Sequence, residues 1–349
     1  MFKIESTPDW NRDRLLGYLI YHYSMQMSWD IDPAYPALNH LQKENNLTEE
    51  QFIWLSWLYG QTYCTPTTYY IFSAFPDFED IDNNKFNKWH TNNWKKLLYA
   101  TDKRHEKGKL FETYLSYKKV LNGVSQQELI NKLIDSDPME SYNNIQHVFS
   151  DVKGFGRLSV FMFAEALKRW KPEKYNIDCI TRDAIGSQSS CNGLCYVSSN
   201  DNLLDNKPTK FMDKHVEELL IVLRQFVGDK IAKNLLDKFV VETTLCAYKG
   251  LFKKRRYLGY YIDRQNYEIK TMEKNTDFDY QQLWDFRSDV FLHGYLGELN
   301  GWKGIRKEKQ KVWKEENKLF DLEPLVKEGI IEFGDERWKT RRNLTLSSF

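Results

Sequence analysis

Apolar residues recur at helical spacing along most of the chain, and this pattern sets the expected fold. Between Arg12 and Met27, Leu15, Leu16, Leu19 and Ile20 fall on one face of a helix. A loop with Pro33 and Pro36 ends it. Thr48-Glu49-Glu50-Gln51 then sets a capping residue three positions before a glutamine, the capping-box pattern, ahead of the apolar run Phe52 to Tyr59. Thr65, with Pro66 at the first helical position, predicts a further helix that ends near Phe75-Pro76. Residues 86–150 read as several short helices, Asp151 to Gly156 as a turn, and Leu158 to Trp170 as a long helix stopped by Pro172. Residues 186–208, rich in Ser, Asn, Gly and Cys, read as a loop or lid, and helices resume over Val216–Val227 and Ile231–Tyr248. The alternation in Tyr257 to Thr271 predicts a small β-hairpin. No internal repeat is visible at solenoid periods. The chain is therefore expected to be mainly α, with a small C-terminal α/β appendage.

Composition narrows the function. At 349 residues and 41% hydrophobic content the chain has enough apolar material for two or three units. Aromatics make up 15%, which suits stacking surfaces and equally suits an aromatic-rich core. The net charge of +1 excludes a global polycation, so nucleic-acid affinity has to come from local patches. The five cysteines, at 64, 179, 191, 195 and 246, form no dense framework, and no signal peptide precedes them, so a reducing cytoplasm is the expected compartment. No apolar run approaches the roughly 18–20 residues of a membrane span. The seven histidines show no metal-binding spacing, and Cys191-x3-Cys195 lacks a second pair, so no metal centre is expected.

The informative segment is Val152-Lys153-Gly154-Phe155-Gly156-Arg157-Leu158-Ser159. Two glycines one residue apart allow a tight hairpin between helices and a close approach of another backbone. Such a turn exposes amides at the start of the next helix, where a phosphate meets N–H groups and the positive helix end. Lys153 and Arg157 add charge. Asp178 follows 22 residues after Gly156, with Arg182 four residues further on. Upstream, Trp57-Leu58-Tyr59-Gly60-Gln61-Thr62 ends an apolar helix, and Phe75-Pro76-Asp77 ends the next.

In order and spacing, residues 50–185 resemble the helix-hairpin-helix base-excision DNA glycosylase superfamily. The resemblance implies a two-lobed helical fold around a DNA cleft. It implies that Gly154, Gly156 and neighbouring amides grip phosphate, that Gln61 lies beside or wedges into the duplex, and that Asp178 is the active-site carboxylate. Two departures stand out. Leu158 occupies the position of the Schiff-base lysine of bifunctional members, so the amine nucleophile of lyase chemistry is missing there. The four-cysteine iron–sulfur loop of some members is missing too. With these departures, the aromatic tail containing Leu258-Gly259-Tyr260-Tyr261-Ile262-Asp263-Arg264 and the segment Leu296-Gly297-Glu298-Leu299-Asn300-Gly301-Trp302 resemble the phage thymine-hypermodification branch of that superfamily. Its members are amino acid:DNA transferases or glutamyl/putrescinyl-thymine pyrophosphorylases.

That resemblance implies displacement of pyrophosphate from 5-(pyrophosphoryloxymethyl)uracil in DNA by the amine of an amino acid or polyamine. Asp178 would take the proton of the incoming ammonium. Arg157, Arg182 and the run Lys253-Lys254-Arg255-Arg256 would meet the leaving pyrophosphate or the DNA backbone, and Arg264 would clamp an amino acid's carboxylate. A solvated helix end is the plain alternative for Lys254, Arg255 and Arg256. The competing functions are a monofunctional glycosylase and a non-catalytic DNA-binding protein. Expected segments are 1–48 packing on the second lobe, a bundle over 49–178, a second helical lobe over 179–250 and the appendage over 251–349. The expected partners are DNA and a free amino acid or polyamine, without a membrane and without a cofactor, leaving room for a monovalent cation at the hairpin. A phage-encoded chain would work in the host cytoplasm.

Overall fold

The computed structural model describes residues 14–179, 188–206, 210–228, 231, 235–291, 311 and 315. All its regular elements among the described residues are helices, and they fall into two compact units. One unit comprises 34–179 and 265–287; the other comprises described residues up to Pro33, from 188 to Arg264, and from 288 onward.

Helix α1 (Arg14–Met27) belongs to the other unit, and α2 (Ala34–Glu44), α3 (Glu49–Thr62) and α4 (Thr65–Ala74) follow in the unit that holds 34–179. Thr48 closes the capping box on α3: Gln51 N donates to Thr48 Oγ1 at 3.3 Å and Thr48 N donates to Gln51 Oε1 at 2.9 Å. The capping residue of α4 is Cys64, one position before the expected Thr65, without a side-chain bond. Helices α5 (Asn83–Asn93), α6 (Leu110–Leu121), α7 (Gln126–Leu133), α8 (Pro138–Phe149) and α9 (Arg157–Trp170) complete the run.

Its core is an aromatic stack. Trp57 of α3 lies parallel to Tyr117 of α6 at 4.8 Å and to Phe155 at 5.1 Å, with Trp54 at 5.2 Å. Offset rings of this kind add to ordinary burial. The aromatic wealth of the sequence is thus spent largely inside: Trp54, Trp57, Tyr114, Tyr117, Tyr142 and Tyr175 are fully buried. Helices α3 and α9 run in opposite directions. Glu49 at the start of α3 accepts from Lys171, Lys174 and Tyr175 just past the end of α9, whereas a Cβ on Gly60 near the end of α3 would sit 2.7 Å from Ser159 O at the start of α9. Burial works against the Glu49 charge, but the bonds from Lys174 and Tyr175 and the charge of Lys171 outweigh it and hold the carboxyl below its usual range.

The other unit joins α1 to α10 (Gln188–Val197), α11 (Lys210–Val227) and α12 (Lys238–Phe252). Helix α10 corrects the loop or lid expected over 186–208. Its small side chains, which read as loop composition, serve close packing: an added Cβ on Gly193 would lie 2.1 Å from the main-chain Leu245 O of α12. Gly193→Ala therefore has to push two backbones apart. We expect a loss of about 3 kcal/mol, the upper range for overpacking, read from urea unfolding; an unchanged midpoint would contradict this contact. The cysteines Cys191 and Cys195 lie four apart on α10, both buried and neither in a disulfide. Burial first, then Asp201, pushes the Cys195 thiol up to about 11, so it stays a thiol. The helix expected over Ile231–Tyr248 starts only at Lys238, capped by Asp237 through Val240 N at 3.1 Å.

The β-hairpin expected over Tyr257–Thr271 is also corrected: Tyr260–Asn275 is a helix, α13, followed by α14 (Gln281–Val290). Ile262, Ile269 and Met272 are buried at helical spacing, a pattern hidden by the run of tyrosines before it. The start of α13 is fixed by a residue 230 positions away in sequence. Buried Asp30 accepts from Gly259 N at 2.8 Å, Tyr261 N at 2.8 Å and Ile262 N at 3.1 Å. A long-range cap of this kind leaves no local signature. Among the described residues there is no strand, so the β element of the appendage is not found there; Leu296–Trp302 lies outside the described residues. No described helix is long and apolar enough to cross a membrane.

Candidate nucleic-acid and catalytic site

A tight hairpin turn through Gly154 and Gly156 connects α8 to α9. Gly154 has φ +76°, and a Cβ there would meet Thr113 Oγ1 at 2.7 Å, so the turn requires glycine. Phe155, between the two glycines, is buried in the aromatic stack and pins the hairpin to the core. Lys153 is exposed, and its amide donates to Ser116 Oγ at 2.9 Å. Gly156 caps α9 without a side-chain bond, is exposed, and has open space where a Cβ would be. A phosphate can therefore approach the first turn of α9, where Arg157 is half-exposed.

Beneath the hairpin lies a group that sequence reasoning missed. Lys103, 6% exposed, donates through Nζ to Gly154 O at 2.8 Å and to Gln61 Oε1 at 3.2 Å. Gln61 is itself fully buried, and its Nε2 has no hydrogen-bond partner among the described residues. Gln61 thus reaches the hairpin through Lys103. Lys103 stands in the charged stretch Lys103-Arg104-His105-Glu106-Lys107, which reads as a solvated surface, so its local sequence gives no hint of burial. Burial pushes its amine down to about 8, opposed by nearby Glu106.

Asp178 is placed elsewhere. It is half-exposed, and its amide donates to Pro138 O in the first turn of α8 at 2.9 Å. Buried Tyr175 and Ile177 anchor the segment before it, and Lys168 Nζ donates to Ile177 O at 2.5 Å. The hairpin leaves the opposite end of α8, about 16 Å away by helix rise. Lys103, Gln61 and Gly154 thus come together, and Asp178 stands at the other end of the same helices. Arg182 lies outside the described residues.

In the other unit, Lys253 and Arg255 are exposed, Lys254 and Arg256 half-buried. The turn is closed by Arg255 N and Arg256 N on Gly250 O, at 2.7 and 3.1 Å. The Arg256 guanidinium lies 3.7 Å from the centre of the Tyr260 ring, a cation–π contact that commits it to the fold. Arg264 is half-buried in the second turn of α13, and Tyr257 donates to its neighbour Asp263 at 2.5 Å. No cluster of three or more potential metal ligands occurs among the described residues.

No solved structure matches this chain significantly. A serinyltransferase of Salmonella phage ViI is 27% identical over 259 residues, which cover 68% of this chain and 63% of the relative. The chain thus spans less than two thirds of that relative's length. The family profile described as amino acid:DNA transferase matches residues 26–257, a stretch that holds the hairpin, Lys103, Asp178 and the basic run. With about two thirds of its length matched, the chain belongs to the amino acid:DNA transferase family.

Proposed function

We propose that this protein transfers an amino acid onto 5-(pyrophosphoryloxymethyl)uracil in DNA and releases pyrophosphate. The match to the amino acid:DNA transferase family carries this reading. Serine is the first donor to test, given the name of the phage relative. The scaffold we propose is a helix-hairpin-helix, glycosylase-like one, in which the target base turns out of the stack to be reached.

The chemistry asks for little beyond placement and proton transfer. A lone pair of the amino acid attacks the exocyclic methylene carbon, the carbon–oxygen bond breaks, and its electrons leave with pyrophosphate. The nucleophile's proton passes to a base, for which Asp178 is the half-exposed carboxylate on the segment. The hairpin, some 16 Å along α8 from Asp178, anchors the DNA backbone away from the reacting carbon. Gly154, Gly156, Lys153 and Arg157 serve there; exposed Arg255 and half-buried Lys254 are separate candidates for backbone contact.

Incubation of DNA carrying 5-(pyrophosphoryloxymethyl)uracil with the protein and serine should release pyrophosphate only when an amino acid is present. Release of free base, leaving alkali-labile abasic sites, would replace this reading with a glycosylase.

A further inference from the structure

Lys103 gives the hairpin a property that its own sequence lacks. A buried ammonium persists only where acceptors meet it, and here both acceptors are neutral: the Gln61 side-chain oxygen and the Gly154 carbonyl. The segment that brings it in is firmly held. Ala100 N donates to Thr62 O at 3.2 Å, at the end of α3. Thr101, a β-branched residue, sits at φ +47°, a left-handed conformation that such residues rarely adopt. The glycine that Lys103 meets is the one with positive φ, and its outward neighbour Gly156 opens to solvent.

We propose that Lys103 is the built-in cation of the hairpin: its ammonium ties the end of α3 to the Gly154 carbonyl and holds the hairpin in its phosphate-gripping form. The proposal rests on the DNA-acting reading above. Lys103 is a positioning residue here, buried beneath the surface that meets DNA. Its positive charge also adds to the potential at the α9 amides. The charged group near it is Glu106, which pairs with Lys109 at 3.4 Å. A phosphate on the hairpin favours the ammonium form, so affinity for DNA should fall as pH rises through about 8.

The test is the affinity of a short fluorescein-labelled DNA duplex, by anisotropy, for the natural protein, Lys103→Met and Lys103→Arg across that pH range. Thermal melting monitors folding of each. Lys103→Met should bind roughly tenfold more weakly, the scale of one lost charged hydrogen bond, and show no fall above pH 8. Lys103→Arg should keep most of the affinity and also lose the fall, because arginine does not titrate there. Affinity of the natural protein should be equal in potassium and tetramethylammonium salts of the same ionic strength. Unchanged binding by a folded Lys103→Met, or a selective need for potassium, would overturn the proposal alone. Absence of duplex binding by the natural protein at every pH would instead overturn the DNA-acting reading and this proposal with it.

Discussion

Asp178→Asn is expected to lower amino acid transfer by about 10²- to 10⁴-fold, the range for loss of a positioned general base, with DNA affinity largely kept. The substitution is nearly isosteric and removes the proton acceptor without touching the Asp178 amide, whose bond to Pro138 O places the residue. Buried Tyr175 and Ile177 keep the segment in register in either protein. The hairpin lies at the other end of α8, so the phosphate anchor should not feel the change. Rates of pyrophosphate release under single-turnover conditions, set beside duplex anisotropy, separate the two effects. A variant that turns over at the natural rate would remove Asp178 from the chemistry.

Asp30→Ala should strongly destabilise the fold. Three amides at the start of α13 lose their common acceptor, and those of Gly259 and Ile262 are left in buried surroundings. At about 1–3 kcal/mol for each unmet buried donor, a loss of about 3 kcal/mol or more is expected. The same residue gives a pH signature. Burial, outweighing the three amide bonds, raises its carboxyl to about 7. The folded protein then holds this proton more tightly than the unfolded chain, whose aspartates titrate near about 4. The contribution of Asp30 to stability is therefore greatest at low pH and declines as pH rises from about 4 to about 7. Urea midpoints across that window should show this decline in the natural protein and lack it in Asp30→Asn. Identical pH profiles would contradict the burial of this charge.

What the sequence disclosed, and what it hid, follows from the range of the interactions involved. The capping box at Thr48 and the glycine turn at Gly154 are local, and each was readable from a handful of neighbours. Helix α10 reads as a loop in the sequence because Ser, Cys and Gly suit a loop and suit tight helix packing equally; the approach of Leu245 O to Gly193 decides between them. Helix α13 reads as a hairpin in the sequence because strand-favouring Tyr and Ile crowd its start and its cap, Asp30, lies far away. The site divides in the same way. Gly154, Gly156 and Asp178 stand out in the sequence as candidates through their spacing, whereas Lys103 is a buried charge inside a charged stretch, which composition assigns to the surface. Gln61 was legible as a residue of interest, but its burial beneath the hairpin and its bond to Lys103 required the fold.

The most direct test of the account is mass spectrometry of nucleosides from DNA that carries 5-(pyrophosphoryloxymethyl)uracil, after incubation with the protein and isotopically labelled serine among other amino acids and polyamines. The account predicts an intact strand with a new, heavier nucleoside carrying an amino acid, and the label if serine is the donor. A nucleoside pool that stays unchanged under conditions where the protein binds the DNA would contradict it.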